Sequence, residues 1–198
     1  MPLFRRRHDS PFLAAEAGGP PPSAPPLPIS DTHAIGAWAT FGFPFGWRKL
    51  TPEEVIDRGG IVAGIAANRP DGMNGTITVM VGEDAGGFRT AGELVAHADE
   101  VTQDLARPSN LPEVLEKQLI AGPARIWLER EQALRYEMRL VSYGTAFGLE
   151  RNVTCRDMTV LTVHNAALFF VLMHVLEEHA TMYTPVLDTV VATWEWLS

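Results

Sequence analysis

The chain has 198 residues, 46% of them hydrophobic and 20% charged, with a formal net charge of −8. That length fits one domain with a core of its own, and the acidic balance argues against a general affinity for nucleic-acid backbones. A single cysteine, Cys155, excludes an intramolecular disulfide framework and any zinc or iron–sulfur site built on several cysteines. No apolar run reaches the roughly 18 residues that a membrane-spanning helix needs. Lys49 and Lys117 stand against fourteen arginines, a GC-rich codon bias that points to a bacterial, actinobacterial origin.

Residues 1–30 read as a tail and 31–198 as a single domain. Arg5, Arg6 and Arg7 form a basic cluster, and six of the nine positions from Pro20 to Pro28 are proline. Such a run is expected to be extended and unpacked. With Asp9 and Glu16 the tail carries +1, which leaves −9 for the rest. The basic cluster runs straight into His8, Asp9 and Ser10 with no apolar segment, so it does not read as a signal peptide, and a cytoplasmic protein is expected.

In the body, the aromatic-rich segment from Gly36 to Leu50 predicts one or two short strands with a turn near Pro44 and Gly46. Thr51, Pro52 and Glu54 then set a capping box for a short helix that Gly59 is placed to end. Ile61–Ala67 and Thr76–Val81 predict a strand pair around turns at Pro70–Gly72 and Asn74–Gly75. In the second strand Ile77, Val79 and Val81 face inward, and Thr76, Thr78 and Met80 face out. A second capping box, Thr90 to Glu93, opens a helix with Leu94, Ala98, Val101 and Leu105 on one face, ending before Pro108. A further short helix is predicted over Pro112–Ile120, closed by Gly122 and Pro123.

The period then changes to two. Ile126 and Leu128 alternate with Arg125, Trp127 and Glu129, and Leu134, Tyr136, Met138 and Leu140 alternate with Arg135, Glu137 and Arg139. Asp157–Val163 and Ala167–Val175 continue the series, with turns at 148–150 and at His164–Asn165. This predicts an antiparallel meander of about four strands. A closing helix is capped by Thr184, started by Pro185, and striped by Val186, Val190, Trp194 and Leu197. The fold class expected is α+β, an antiparallel sheet with helices on its faces.

With this order of elements, Pro44-Phe45-Gly46-Trp47 and the closing run from Tyr183 to Trp196 resemble the PsbP-like α/β/α sandwich superfamily over about residues 36–198. Its LpqN-like, Ran-binding-protein-like and Eag-chaperone-like branches stay open. Thr193 stands where the closing motif often has Ser, and the lipobox of the LpqN lipoproteins is missing. The resemblance implies a non-catalytic module that docks or chaperones another protein, with no cofactor.

Several clusters were weighed for chemistry. His174-Val-Leu-Glu177-Glu178-His179 matches neither zincin order of histidines and glutamate. Asp71–Gly75 opens like a calcium loop, but Gly82 occupies the position of its closing Glu. Gly59-Gly60-Ile-Val-Ala-Gly64 has the wrong offsets for a dinucleotide loop. Cys155 beside His164, or the set His164, His174 and His179, is the alternative for an enzyme, and a small apolar ligand held between sheet and helices is the alternative for a binding protein. The strongest candidate is the aromatic segment: Phe41, Phe43, Phe45 and Trp47 are denser than a half-buried strand needs, and exposed aromatics mark protein contacts. The face carrying Arg125, Arg135, Glu137 and Arg139 is expected to be solvated. The uncapped edge of an antiparallel sheet leaves room for a second copy of the chain.

Overall fold

The structure, a computed structural model, describes residues 25–56, 61–68, 75–82, 87–112, 114–143 and 152–197. Gly59, Gly60, the turn residues 70–74, the turn at 148–150 and most of the tail lie outside them. The alternating segments do form strands. A hairpin of β1 (Ile29–Ile35) and β2 (Ala39–Pro44) leads to β3 (Trp47–Lys49), α1 (Pro52–Ile56), β4 (Ile61–Ala67) and β5 (Thr76–Gly82). Helices α2 (Ala91–Ala96) and α3 (Ala98–Leu105) follow, then β6 (Val114–Leu128), β7 (Glu131–Tyr143), β8 (Asn152–His164) and β9 (Ala167–Leu176). A 3₁₀ turn at Glu177–His179 enters α4 (Ala180–Ala192), and β10 (Glu195–Trp196) ends the order.

Seven strands make one antiparallel sheet in the order β3-β4-β5-β9-β8-β7-β6, and β1-β2-β10 make a smaller one. The last strand of the meander, β9, therefore returns to pair with β5, joining the two halves of the chain. One face of the large sheet packs on α4 and the small sheet through Val160, Phe169, Val171, Met173, Leu187 and Trp194. The other face packs on α2 and α3 through Leu134, Tyr136, Leu161, Leu94 and Val101. This is the expected α+β sandwich. Because both faces are covered, Thr76 and Thr78, predicted to face out, are buried as well.

Both capping boxes form. Glu54 N donates to Thr51 Oγ1 at 3.3 Å while Thr51 N donates to Glu54 Oε2 at 2.8 Å. Glu93 N donates to Thr90 Oγ1 at 3.2 Å, and the Glu93 carboxylate reaches back to Arg89 N at 2.8 Å.

Four expectations are corrected. Pro112–Ile120 is not a helix: from Val114 it is the first half of β6, paired in antiparallel register with β7. Its Leu, Glu, Lys and Gln are good helix formers, but pairing with β7 outweighs a preference of a few tenths of a kcal/mol per residue. Gly122 and Pro123 lie in mid-strand, where register shifts interrupt the ladder on either side of Ala121. Gly122 has φ 109°, and a Cβ there would stand 2.7 Å from the Arg135 carbonyl oxygen, so no side chain fits.

The helix after Thr90 is broken at His97, whose φ −105° and ψ 28° leave the helical region. The closing helix begins at Ala180, so Pro185 lies inside it, and it ends at Ala192. Trp196 then extends as β10 beside Ala39 of β2 instead of continuing the helical stripe. Lastly, residues assigned to the tail belong to the body: Leu27 N donates to Thr189 Oγ1 of α4 at 3.2 Å, and β1 starts at Ile29.

The closing segment shows why its residues are there. Thr193 Oγ1 accepts from Gly42 N at 2.9 Å and donates to Thr189 O at 2.7 Å, tying the end of α4 to β2. Trp194 stacks on Phe41 with centroids 5.9 Å apart, and Trp196 stacks on His164 at 4.1 Å. Among the described residues no helix is long and apolar enough to cross a membrane.

Candidate functional site

Strand alternation gives Phe41, Phe43 and Phe45 the same side of the chain. The strand, however, stops at Pro44, and a tight turn with Gly46 at φ 84° redirects the backbone. Phe41 and Phe43 are consequently buried in the core against α4, whereas Phe45 is thrown out of register and is 93% exposed. Trp47 is half-buried with its ring edge on Tyr183 at 5.4 Å. Of the four predicted contact residues, Phe41 and Phe43 are thus structural. Phe45 stands in the β2–β3 turn, at the open end of the β1–β2 hairpin, where Ile29 of β1 pairs with Pro44.

The histidines and the cysteine separate into unrelated settings. Cys155 and His164 are nine positions apart on one extended strand, roughly 30 Å at the rise of a strand, so His164 cannot serve as base for that thiol. His164 is instead held by Glu131 at 3.1 Å and by the Trp196 ring. Cys155 does meet His174. The His174 Nδ1 lies 2.6 Å from Asp157 Oδ1, and Cys155 hydrogen-bonds the same ring. Burial alone would lower the His174 pKa, but the hydrogen bonds to Asp157 and Cys155 and the Asp157 charge outweigh it and push it up to about 10. His174 is therefore an imidazolium at neutral pH, which leaves it no free lone pair to act as a base. The Cys155 sulfur is fully buried. His179 is elsewhere, edge-on to Tyr183 at 6.0 Å. Among the described residues no three histidine, cysteine or acidic side chains are placed to hold a metal ion.

The charged face of β7 is not simply solvated. Arg135 pairs with Asp188 of α4 at 2.5 Å and Arg139 with Glu177 at 3.1 Å, while Arg156 bridges Glu137 at 3.2 Å and Glu177 at 2.9 Å. Hydrogen bonds from Arg139 and Arg156 hold the Glu177 carboxyl below the usual carboxylate range. The arginines are thus partly committed to fastening the entry of α4 to the sheet. Arg125 alone of the four predicted residues remains exposed on β6.

The feature that sequence reading missed is β6 itself. It is the last strand of the large sheet, and of its fifteen residues only Leu128 is buried. Leu111, Leu115, Ile120 and Tyr143, four of the ten exposed large hydrophobic residues among those described, gather on or beside its first half. A cleft of about 420 Å³ opens there, between the end of α3 and the outer strands. The available signal was apolar Leu115 and Ile120 flanking the polar run Glu116-Lys117-Gln118. Read at helical spacing it looked like one helix face.

No family model matches the sequence, and no curated protein matches it. Among solved structures the chain is similar to LpqN, described as involved in cell envelope biogenesis of Mycobacterium tuberculosis, with 14% identity and a TM-score of 0.48 over 81% of this chain and 83% of that one. It is similar to the cyanobacterial PsbP (CyanoP) of Synechocystis sp. PCC 6803, with 12% identity and a TM-score of 0.46 over 93% of this chain and 98% of that one. It is also similar to a protein of Bacteroides thetaiotaomicron VPI-5482, with 13% identity and a TM-score of 0.44 over 86% of this chain and 49% of that one. The likeness is one of fold, and nothing of function follows from it.

Proposed function

We propose that the chain is a non-catalytic module that docks another protein, in a docking or chaperone-like role, and that the β2–β3 turn is one of its contact surfaces. The observation that carries this reading is Phe45. The fold does not need an aromatic side chain at a position 93% exposed to solvent, and burying one against a partner releases about 1.5–3 kcal/mol. The setting of Cys155 supports the non-catalytic half of the reading, since the thiol has no solvent access.

The test is affinity capture from the native cell lysate with the full chain and with Phe45→Ser. One stoichiometric protein retained by the first and lost by the second, at equal thermal stability, is the expected result. Equal capture by both removes the β2–β3 turn from the docking surface. If no protein is retained by the unaltered chain, the docking reading fails altogether.

A further inference from the structure

We propose that the Leu115–Ile120 run of β6 is a strand-addition site for an extended, acidic peptide segment of a partner protein. The inference rests on the docking reading but uses a different surface from the β2–β3 turn.

Every strand at the edge of a sheet aims alternate backbone N–H and C=O groups outward. Natural edges are usually kept short or interrupted, and this sheet treats its two edges and the two halves of β6 differently. The opposite edge, β3, is only the three residues Trp47–Lys49. The second half of β6 is broken by register shifts between Leu119 and Ala121 and between Ala121 and Ala124, and Pro123 has no amide to donate. Between the register shifts at Leu115 and at Ile120, pairing with β7 runs unbroken, from Glu116 opposite Val141 to Leu119 opposite Met138. Among the described residues no strand covers the outer side of this run. It offers about 13 Å of strand with open backbone groups.

Side chains define what would fit. Leu115 is 53% and Leu111 62% exposed, which gives apolar anchors at the start of the run, with Ile120 at its end. Lys117, half-buried, lines the adjoining cleft and has no ion pair among the described residues. Burial pushes its pKa down against the pull of the Asp157 charge, so the ammonium is under-compensated where it stands. The other charges lining the cleft are Arg139, engaged by Glu177, and a single acid, Glu116. A strand with an acidic residue facing Lys117 and apolar residues facing Leu115 or Ile120 supplies what the site lacks.

A second copy of this chain does not supply it. In a two-fold antiparallel pair, residues directly opposite must share a face, so each register is centred on a residue. Centring on Lys117 sets it against its own copy and Glu116 against Gln118. Centring on Gln118 sets Lys117 against Leu119 and Glu116 against Ile120. Neither register brings a carboxylate to Lys117.

The experiment follows the backbone amide resonances of the isotope-labelled full chain. Three end-blocked peptides are titrated to millimolar concentration: one alternating valine with aspartate, one alternating valine with lysine, and the aspartate peptide N-methylated along one edge. The expected result is shifts centred on Leu115–Ile120 with the aspartate peptide, several-fold weaker binding of the lysine peptide, and loss of binding on N-methylation. Lys117→Glu is expected to reverse the order of the two charged peptides. No shifts in that run, equal binding of the two charged peptides, or undiminished binding of the N-methylated one each overturns the site. So does concentration-dependent shifting of the same run without peptide, which assigns the edge to a second copy. Peptide binding retained in Phe45→Ser, where partner capture is lost, keeps the two surfaces separate: failure of the peptides leaves the β2–β3 turn standing, and failure of capture leaves the edge standing.

Discussion

Strands β2 and β6 belong to the same antiparallel framework and have opposite fates. In β2 every residue from Ala39 to Pro44 is buried except half-buried Thr40, because the strand is enclosed by β1, β10, α4 and the large sheet. In β6 fourteen of fifteen residues keep contact with solvent, because only β7 lies beside it and little lies over it. Composition does not separate them in the expected direction. The aromatic strand, which looked rich enough to spare residues for a partner, uses nearly all of them internally. The mixed strand, which looked like a surface helix, is where the fold leaves both backbone groups and apolar side chains open. Burial follows from how many neighbouring elements cover a strand, and this is a property of the assembled sheet.

The largest effect that tests the contrast is at Phe41. Phe41→Ala removes a fully buried ring stacked on Trp194 and is expected to lower the unfolding free energy by about 3–5 kcal/mol in denaturant titration. A loss under about 1 kcal/mol would mean that β2 is not the core strand described here.

A comparable effect comes from His174, on β9 in the middle of the large sheet. Its folded pKa of about 10 lies above the unfolded value near 6.5. The folded protein therefore holds an extra proton between these values. The stabilisation is complete below the lower value and is lost as pH rises through about 10, with a slope of up to about 1.4 kcal/mol per pH unit. Urea titrations across that range should show the fall in the unaltered protein and a flatter profile in His174→Gln. Parallel profiles would remove the charged Asp157–His174 pair.

At the bottom of the scale stands Leu115→Ser on β6, expected to alter stability by no more than about 0.5 kcal/mol, because the side chain is already half in water. A loss comparable to that of Phe41→Ala would show that the outer edge is covered and the contrast false.

Much of the architecture was readable because it is encoded locally. Period-two runs marked β4, β5, β7, β8 and β9, the Thr51 and Thr90 capping boxes started α1 and α2, and the aromatic and proline punctuation placed the β2–β3 turn. Side-chain alternation and capping act over two to four residues, so a linear reading reaches them. The candidate site was legible only in part. Phe45 was named, yet nothing local distinguishes it from Phe41 and Phe43; the difference is a turn that begins one residue earlier than alternation requires.

What the amino-acid sequence determined by itself is the class of fold, the acidic charge with one thiol, and most element positions. What tertiary structure alone decided is which faces are covered. It made Val114–Ile120 part of an edge strand against its helical preference, buried Thr76 and Thr78, turned Trp196 into a third strand of the small sheet, and brought Cys155, Asp157 and His174 together from strands β8 and β9. The physical reason is common to all four. Pairing and burial energies come from partners distant in the chain, and they exceed the few tenths of a kcal/mol by which any single residue prefers one backbone state to another.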